Sequence, residues 1–505
     1  MTEWERRPPY TLLTILMVGA FIAFLNNTLL NVALPAIMND FGVSEATVQW
    51  LQTGYMLING VIMPSAAFFI QKYSTRKLFL VAMGLFSLGT LVSSFAPLFG
   101  VLLVGRMTQA AGSAIMMPLL MTTMLTSFPP ERRGTAMGVF GLVLMFAPAI
   151  GPTLSGWIVQ HYHWSVLFKM VAPIAILILI LGLLKLHDNR ETMEITVDVR
   201  SMIYSAIGFG GLLYGFGSAG NRGWADPVVY TLLLVGLLGV VLFIWRQFKL
   251  EKPMLDFRVY RYAMYSLSIA IVITLNLALF SGMLLFPLYL QNIRGFTPLD
   301  SGLLMLPGAL VMAVMSPVTG RLFDRYGART IAIIGILILT ITSYLFSLLT
   351  TETPYLALMV LYAVRVLGIS MVMMPVTTNG LNALPAKYYP HGTAMNNTIQ
   401  QVSGALGGSL LVSVMSNRTV VHAQELMAEA NRQTAGSSWA SQGLSEQTIQ
   451  LQAAVAGMND AYFLSAIIAV VALVMALFIK RKISHVEGEV KLPPTGSHGT
   501  ARAET

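Results

Sequence analysis

The 505-residue chain contains no cysteine, which excludes a secreted scaffold held together by disulfides. Charge is nearly as scarce. Only 10% of the residues are Asp, Glu, Lys or Arg, against about 25% in an ordinary soluble domain. That is too few to cover the surface of a soluble fold. The net charge of +9 does not point to nucleic acid. A DNA-binding protein gathers its basic residues on one face or helix, whereas the 31 Lys and Arg here fall in short bursts between long apolar runs. No Gly-x-x-x-x-Gly-Lys-Ser/Thr loop occurs, which argues against an ATP-driven pump. No carboxylate pair or histidine cluster lies within an apolar run, which argues against a membrane enzyme. What the chain does have is 55% hydrophobic residues, 43 Gly and 31 Met, a composition suited to close-packed, adaptable membrane helices.

A helix that crosses a bilayer needs about 20 mostly apolar residues. Fourteen segments qualify: residues 12–34, 48–70, 78–96, 99–122, 135–159, 166–186, 202–219, 228–244, 266–290, 301–322, 330–349, 355–375, 392–416 and 461–479. The first is too long, and too lacking in a small-residue cleavage site, for a signal peptide, and is expected to be retained. With both termini cytoplasmic, one set of loops holds about 24 of the Lys and Arg and the opposite set about four. Such a bias supports an even number of spans with both ends inside. Twelve spans is the rival count, reached by demoting residues 202–219 and 228–244.

The chain repeats itself weakly. The loop after span two, with Gln71, Lys72, Arg76 and Lys77, has a counterpart after span ten, with Gly320, Asp324, Arg325, Gly327 and Arg329. Arg106 in span four is matched by Arg365 in span twelve. Two six-helix halves separated by two inserted helices account for these offsets, and parallel repeats of this kind place a transport site between the halves. The expected organisation is residues 1–200 for the first half with its cytoplasmic linker, and 201–250 for the inserted pair. Residues 251–480 form the second half, with a long, partly helical external loop at 417–459, and 481–505 form a disordered tail.

The second-half loop has the clearest motif. Gly320 and Gly327 permit a tight turn and close approach. Asp324 can accept from Arg329 or from a helix N-terminus in the other half, a contact that would latch one face closed. In span four, Arg106, Gln109 and Ser113 share a helical face. A buried Arg at the membrane centre costs about 2.5–3.5 kcal/mol or more, so it must face protein or water. In span five, Gly151 and Pro152 break the backbone ladder, and Gly156 lets a neighbouring helix approach. Span one carries Asn26, Asn27, Thr28 and Asn31 ahead of Pro35.

Taken together, these motifs resemble the major facilitator superfamily. More narrowly, they resemble its fourteen-span drug:proton antiporter family (DHA2), and within it the lincomycin-efflux and related multidrug exporters of Gram-positive bacteria. The resemblance covers residues 12–479. It implies an all-α fold of two six-helix bundles plus two linker helices, in a bacterial cytoplasmic membrane. It further implies a monomer that needs no cofactor, powered by the proton gradient. The resemblance gives Arg106 a role in proton coupling and the Gly151–Pro152 bend a role in sealing one state. The sequence departs from the family at three positions: Gln71 and Asn26 stand where it usually has Asp, and Ser74 where it has Gly.

The missing acid extends further. All 22 Asp and Glu fall in loops or at span ends, and Arg is effectively always protonated. A proton carrier must therefore be loop-proximal, Asp324 or Asp460, or coupling must depart from the family norm. The expected substrate cavity is lined by Asn26, Asn27, Asn31, Gln52, Tyr55, Asn59, Arg106, Gln109, Asn276, Arg365, Asn397 and Gln401. Each of the neutral residues could equally bond a neighbouring helix. With basic groups and no acid to balance them, the substrate is expected to be amphipathic and neutral, weakly basic or anionic. The leading function is secondary export of amphipathic drugs, with a dedicated exporter of an endogenous fatty acid, lipid precursor or metabolite as the alternative. A non-transporting receptor would predict that Arg106→Ala and Gly151→Leu change only stability.

Overall fold

The computed structural model describes residues 9–187, 198–280, 282, 285–433 and 446–480, and every regular element among them is helical. The expected disordered tail and most of the first linker lie outside the described residues. Fourteen long helices run through the described residues: α1 (Tyr10–Phe41), α2 (Trp50–Lys72), α3 (Thr75–Ser94), α4 (Phe99–Ser127), α5 (Arg133–His161), α6 (Val166–Lys185), α7 (Val199–Arg222), α8 (Pro227–Lys249), α9 (Ala263–Phe280), α10 (Pro298–Tyr326), α11 (Ala328–Phe346), α12 (Tyr355–Asn382), α13 (Tyr389–Gln433) and α14 (Glu446–Ala476). Ten helices among the described residues are long and apolar enough to cross a membrane. Among the others, α5, α7 and α13 are diluted by Gly, Ser, Asn and Gln, which suit packed seams better than lipid.

Local chemistry sets the ends. The Ser74 hydroxyl accepts from Lys77 N at 3.4 Å to open α3, and Asp226 accepts from Val228 N at 2.7 Å to open α8. Gly327, with φ of 80°, ends α10, a left-handed conformation open chiefly to glycine. Because successive helices alternate in direction, α1, α3, α5, α7, α9, α11 and α13 all start on one face. That face also holds the basic loops and is called the basic face below.

α1–α6 and α9–α14 form two bundles. They pack most closely along α5 and α10, where Gly320 lies so near the α5 backbone that a Cβ there would sit 2.3 Å from the Gly134 carbonyl oxygen. α7 and α8 pair through glycines in the same way: a Cβ on Gly239 would lie 2.6 Å from Gly208 N. This inserted pair bridges the second seam, touching α2 on one side and α13 on the other. The Trp50 and Tyr214 rings meet at 5.4 Å, and Trp224 Nε1 donates to Ser413 Oγ at 2.9 Å.

One expectation needs correction. The ninth span is not one regular helix: α9 ends at Phe280, and a π-helical turn follows at Tyr289–Ile293. The segment at 417–459, expected to be partly helical, is helical at both ends, since α13 runs on to Gln433 and α14 starts at Glu446. Residues 434–445 of that segment lie outside the described residues. The connection at 251–261 buries Met254, Leu255 and Val259. Met254 and Leu255 share a cluster with Phe68 of α2, Phe243 of α8 and Met395 of α13, so this connection wedges between the halves at the basic face.

Candidate functional site

Arg106 sits at the centre of a buried polar network in the first bundle. The side chain is 0% exposed. Its Nη1 donates to Gln109 Oε1 at 2.9 Å, one turn along α4, and its Nη2 donates to Asn27 Oδ1 of α1 at 3.1 Å. The guanidinium lies 4.3 Å from the centre of the Tyr55 ring of α2, a cation–π contact that offsets part of its desolvation. Gln109 also accepts from Asn26 Nδ2 at 3.1 Å and donates to Thr90 Oγ1 at 2.8 Å. The Tyr55 hydroxyl donates to Ser113 Oγ at 2.7 Å, which in turn donates to Asn59 Oδ1 at 3.3 Å. Asn26, Asn27, Tyr55, Asn59, Arg106 and Gln109 are therefore brought together in one network, and every partner of the cation among them is neutral.

The counterpart, Arg365, is enclosed within the second bundle. It donates from Nη1 to Ser343 Oγ at 2.6 Å and from Nη2 to the Ala278 carbonyl at 3.3 Å, and lies near the Phe346 and Tyr462 rings. It joins α9, α11, α12 and α14 to one another and is better placed to hold the bundle than to meet a substrate. Asn276 likewise donates to Val272 O on its own helix at 2.8 Å. Gln52, Asn397 and Gln401 are half-buried. Gln52 Oε1 and Asn397 Nδ2 are buried without a hydrogen-bond partner among the described residues. The side chains of Asn31 and Pro152 lie outside the described residues. Gly151 meets Thr28, where a Cβ would lie 2.3 Å from Oγ1, but a Cβ on Gly156 would meet nothing within 4 Å. Among the described residues, no helix approaches Gly156 closely.

The two bundles are tied together at the basic face. Asp324 at the end of α10 accepts from Gly134 N at 2.8 Å through Oδ1, and from Thr135 N at 2.8 Å and Thr135 Oγ1 at 2.6 Å through Oδ2. These are free amides of the first turn of α5, where the helix dipole favours an anion. The partner of Asp324 is thus the helix N-terminus rather than Arg329, which is exposed along with Arg325. Next to this latch, Arg133 is buried and donates from Nη1 to Asn382 Oδ1 at 3.0 Å and to the Tyr389 hydroxyl at 2.7 Å. Across the other seam, Gln71 Nε2 lies 3.1 Å from His391 Nε2, Asp256 N donates to His391 Nδ1 at 3.1 Å, and Thr122 meets Thr393 at 2.8 Å. Burial holds the His391 imidazole well below its ordinary pKa of 6.5, at about 4.

Sequence reasoning missed Arg133, Asn382, Tyr389 and His391. Arg133 and His391 sit where a loop residue reads as a topology signal, and nothing in their spacing marks them as buried. Gln71 was seen as a departure from the acid of a latch, and the structure pairs it with His391 instead. Asp460, the other loop-proximal acid considered, lies on the opposite face and pairs with Arg418 and His422.

Two helical bundles, a repeated loop that ties them at one face and a polar network buried between apolar walls define a multi-pass membrane transporter. The chain belongs to the Major Facilitator Superfamily, whose family profile matches residues 16–408. It is 48% identical over 483 residues to the uncharacterized MFS-type transporter YcnB of Bacillus subtilis, covering 95% of this chain and 97% of that protein. It is 39% identical over 473 residues to the lincomycin resistance protein LmrB of the same organism, covering 93% and 96%. Among solved structures, the human organic anion transporter MFSD10 (TETRAN) superposes with a TM-score of 0.63 at 14% identity, over 93% of this chain and 100% of that one. That likeness shows the fold alone. Membership makes the chain a transporter and not an enzyme, and the identity to LmrB bears out the resemblance drawn from the motifs.

Proposed function

We propose that this protein exports amphipathic drugs and other lipophilic compounds across the bacterial cytoplasmic membrane by alternating access, in exchange for protons. The observation that carries this reading is the closure between the halves at the basic face, centred on Asp324 and the α5 N-terminus. The bonds are short, polar and borne by helix ends, so they can be broken by rocking the bundles without unfolding either core. The charge asymmetry of the loops supports a cytoplasmic basic face. The fourteen long helices support fourteen spans. A closed basic face leaves the Arg106 network to be reached from outside, and its opening exposes the network to the cytoplasm.

Proton exchange fits Asp324, the titratable group within the latch. Protonation removes the charge that the α5 amides hold, which favours opening toward the cytoplasm. The exporter reading also draws on relatives named for lincomycin and multidrug resistance. The protein is expected to work as a monomer without a cofactor.

The test is drug tolerance in a pump-deficient bacterium, with lincosamides, dyes and anionic amphiphiles in the panel and Asp324→Asn as control. Protection against several classes, lost in the variant, is the expected result. Protection against none, with protein present in the membrane, would redirect the assignment to a dedicated endogenous amphiphile.

A further inference from the structure

The Arg106 network holds one charge and no counter-charge. Arg106 is fully buried, yet its hydrogen-bond acceptors are the side-chain amides of Gln109 and Asn27 and its stacking partner is a phenol ring. The Gln109 oxygen is already shared with Asn26. Among the described residues the only buried carboxylate is Asp256, 8% exposed, and it belongs to the wedge at the basic face. A buried ion without a counter-ion is poorly compensated by neutral bonds.

The unused capacity has a direction. Nε of Arg106 is buried without a hydrogen-bond partner among the described residues. Nε and Nη2 form one edge of the guanidinium, and Asn27 Oδ1 engages only the Nη2 end of it. Asn27 is half-buried, and so is Phe24 one turn before it on α1. Asn27 thus stands between the guanidinium and the less enclosed side of α1. A carboxylate, sulfonate or phosphate in place of the Asn27 amide oxygen would take both donors of that edge. One neutral bond would become a bidentate, charge-assisted pair.

We propose that this edge of Arg106 is the head-group site for the exported compound, and that the preferred substrates are amphiphiles carrying one anionic group. The inference rests on the exporter reading and narrows its substrate class. Asn26 supplies the complementary manipulation. Its amide bonds the same Gln109 oxygen as Arg106 does, so Asn26→Asp places a carboxylate one shared partner away and neutralises the site from within.

The test measures binding to the full chain in lipid nanodiscs by isothermal titration calorimetry, with empty nanodiscs subtracted. The probes are octanesulfonate, octyltrimethylammonium and 1-octanol, which share a tail and differ in head charge. Wild type is expected to bind the sulfonate at least about tenfold more tightly than the other two, the difference between a charge-assisted and a neutral hydrogen bond. Arg106→Gln and Asn26→Asp are expected to remove that preference, Arg106→Lys to keep part of it, and Asn26→Asp to gain affinity for the cation. Equal affinity for the three heads, or a sulfonate preference that survives both Arg106→Gln and Asn26→Asp, would overturn the proposal. Efflux of ethidium or lincomycin by wild type separates the two claims. If either is exported while the sulfonate shows no preference, the anion site falls and the exporter stands. If wild type neither binds nor moves any compound of the panel, the exporter reading falls with it.

Discussion

Replacing Asp324 with Asn changes one charge and almost no volume, so its effect isolates the latch. The carboxylate accepts three hydrogen bonds from the first turn of α5. A carboxamide in the same place offers one oxygen, and turns its NH2 toward a backbone N–H that also donates. One bond is lost outright, and the bonds that remain fall from the charged range of about 1.5–3 kcal/mol to the neutral range of about 0.5–1.5 kcal/mol. The dipole contribution at the helix N-terminus goes as well, at about 0.3–1 kcal/mol. Counted separately these come to about 4–7 kcal/mol. The dipole is carried by the same amides that make the bonds, and Asp324 is only half-buried, so partial exposure discounts the charge. About 2–4 kcal/mol is therefore expected, or about a 30- to 900-fold shift in the ratio of closed to open basic face. The absence of cysteine makes the measurement direct. Cysteines placed at the exposed positions Arg132 and Lys387, one on each half, can carry spin labels for distance measurement in nanodiscs. Wild type is expected to give a short distance, and Asp324→Asn a second, longer population. Identical distance distributions, with both proteins folded, would refute the latch.

Three further outcomes are expected. Gly320→Ala should lower the thermal unfolding midpoint by an amount equivalent to about 1–3 kcal/mol, because its Cβ would meet the Gly134 carbonyl, whereas Gly156→Ala should leave the midpoint unchanged in the same assay. His391 is held near pKa 4 while closed and returns toward 6.5 when exposed. The opened chain therefore binds a proton that the closed one refuses, and the stability from this group is complete above pH 6.5 and lost as pH falls toward about 4, by up to about 3 kcal/mol. Thermal melts of wild type and His391→Gln across that window should diverge by this amount. Finally, Arg365→Met should lower the melting temperature without changing the rank order of substrates in an efflux assay, since Arg365 faces Ser343, Phe346 and Tyr462 inside one bundle.

The helices were legible because apolar runs of bilayer length leave little choice of structure, and the halves were legible because Arg106 and Arg365 recur at corresponding positions. Asp324 stood out for the same reason: a glycine-flanked acid in a basic loop has few alternative uses. The membrane depth of Arg106 was apparent, but its partners were not. Which of Asn26, Asn27 and Asn31 meets it depends on the rotation of α1 against α4, and periodicity alone does not set that rotation. Arg133 and His391 were hidden by position. Each sits at a helix start on the basic face, where a charge or an imidazole looks solvated, and only the docking of the opposite bundle buries it. The wedge at 251–261 escaped notice because its apolar residues, Met254, Leu255 and Val259, are too few to register as a segment among flanking charges.

The central claim is that this protein moves amphipathic compounds outward as the basic face opens and closes, at the expense of a proton gradient. Its most direct test is transport by purified protein in proteoliposomes, with ethidium, lincomycin and 8-anilinonaphthalene-1-sulfonate as probes and an imposed pH difference. Movement of at least one probe against its gradient is predicted, stopping when the pH difference is collapsed and failing in Asp324→Asn. Movement that is indifferent to the pH difference, or that proceeds undiminished in Asp324→Asn, would contradict it.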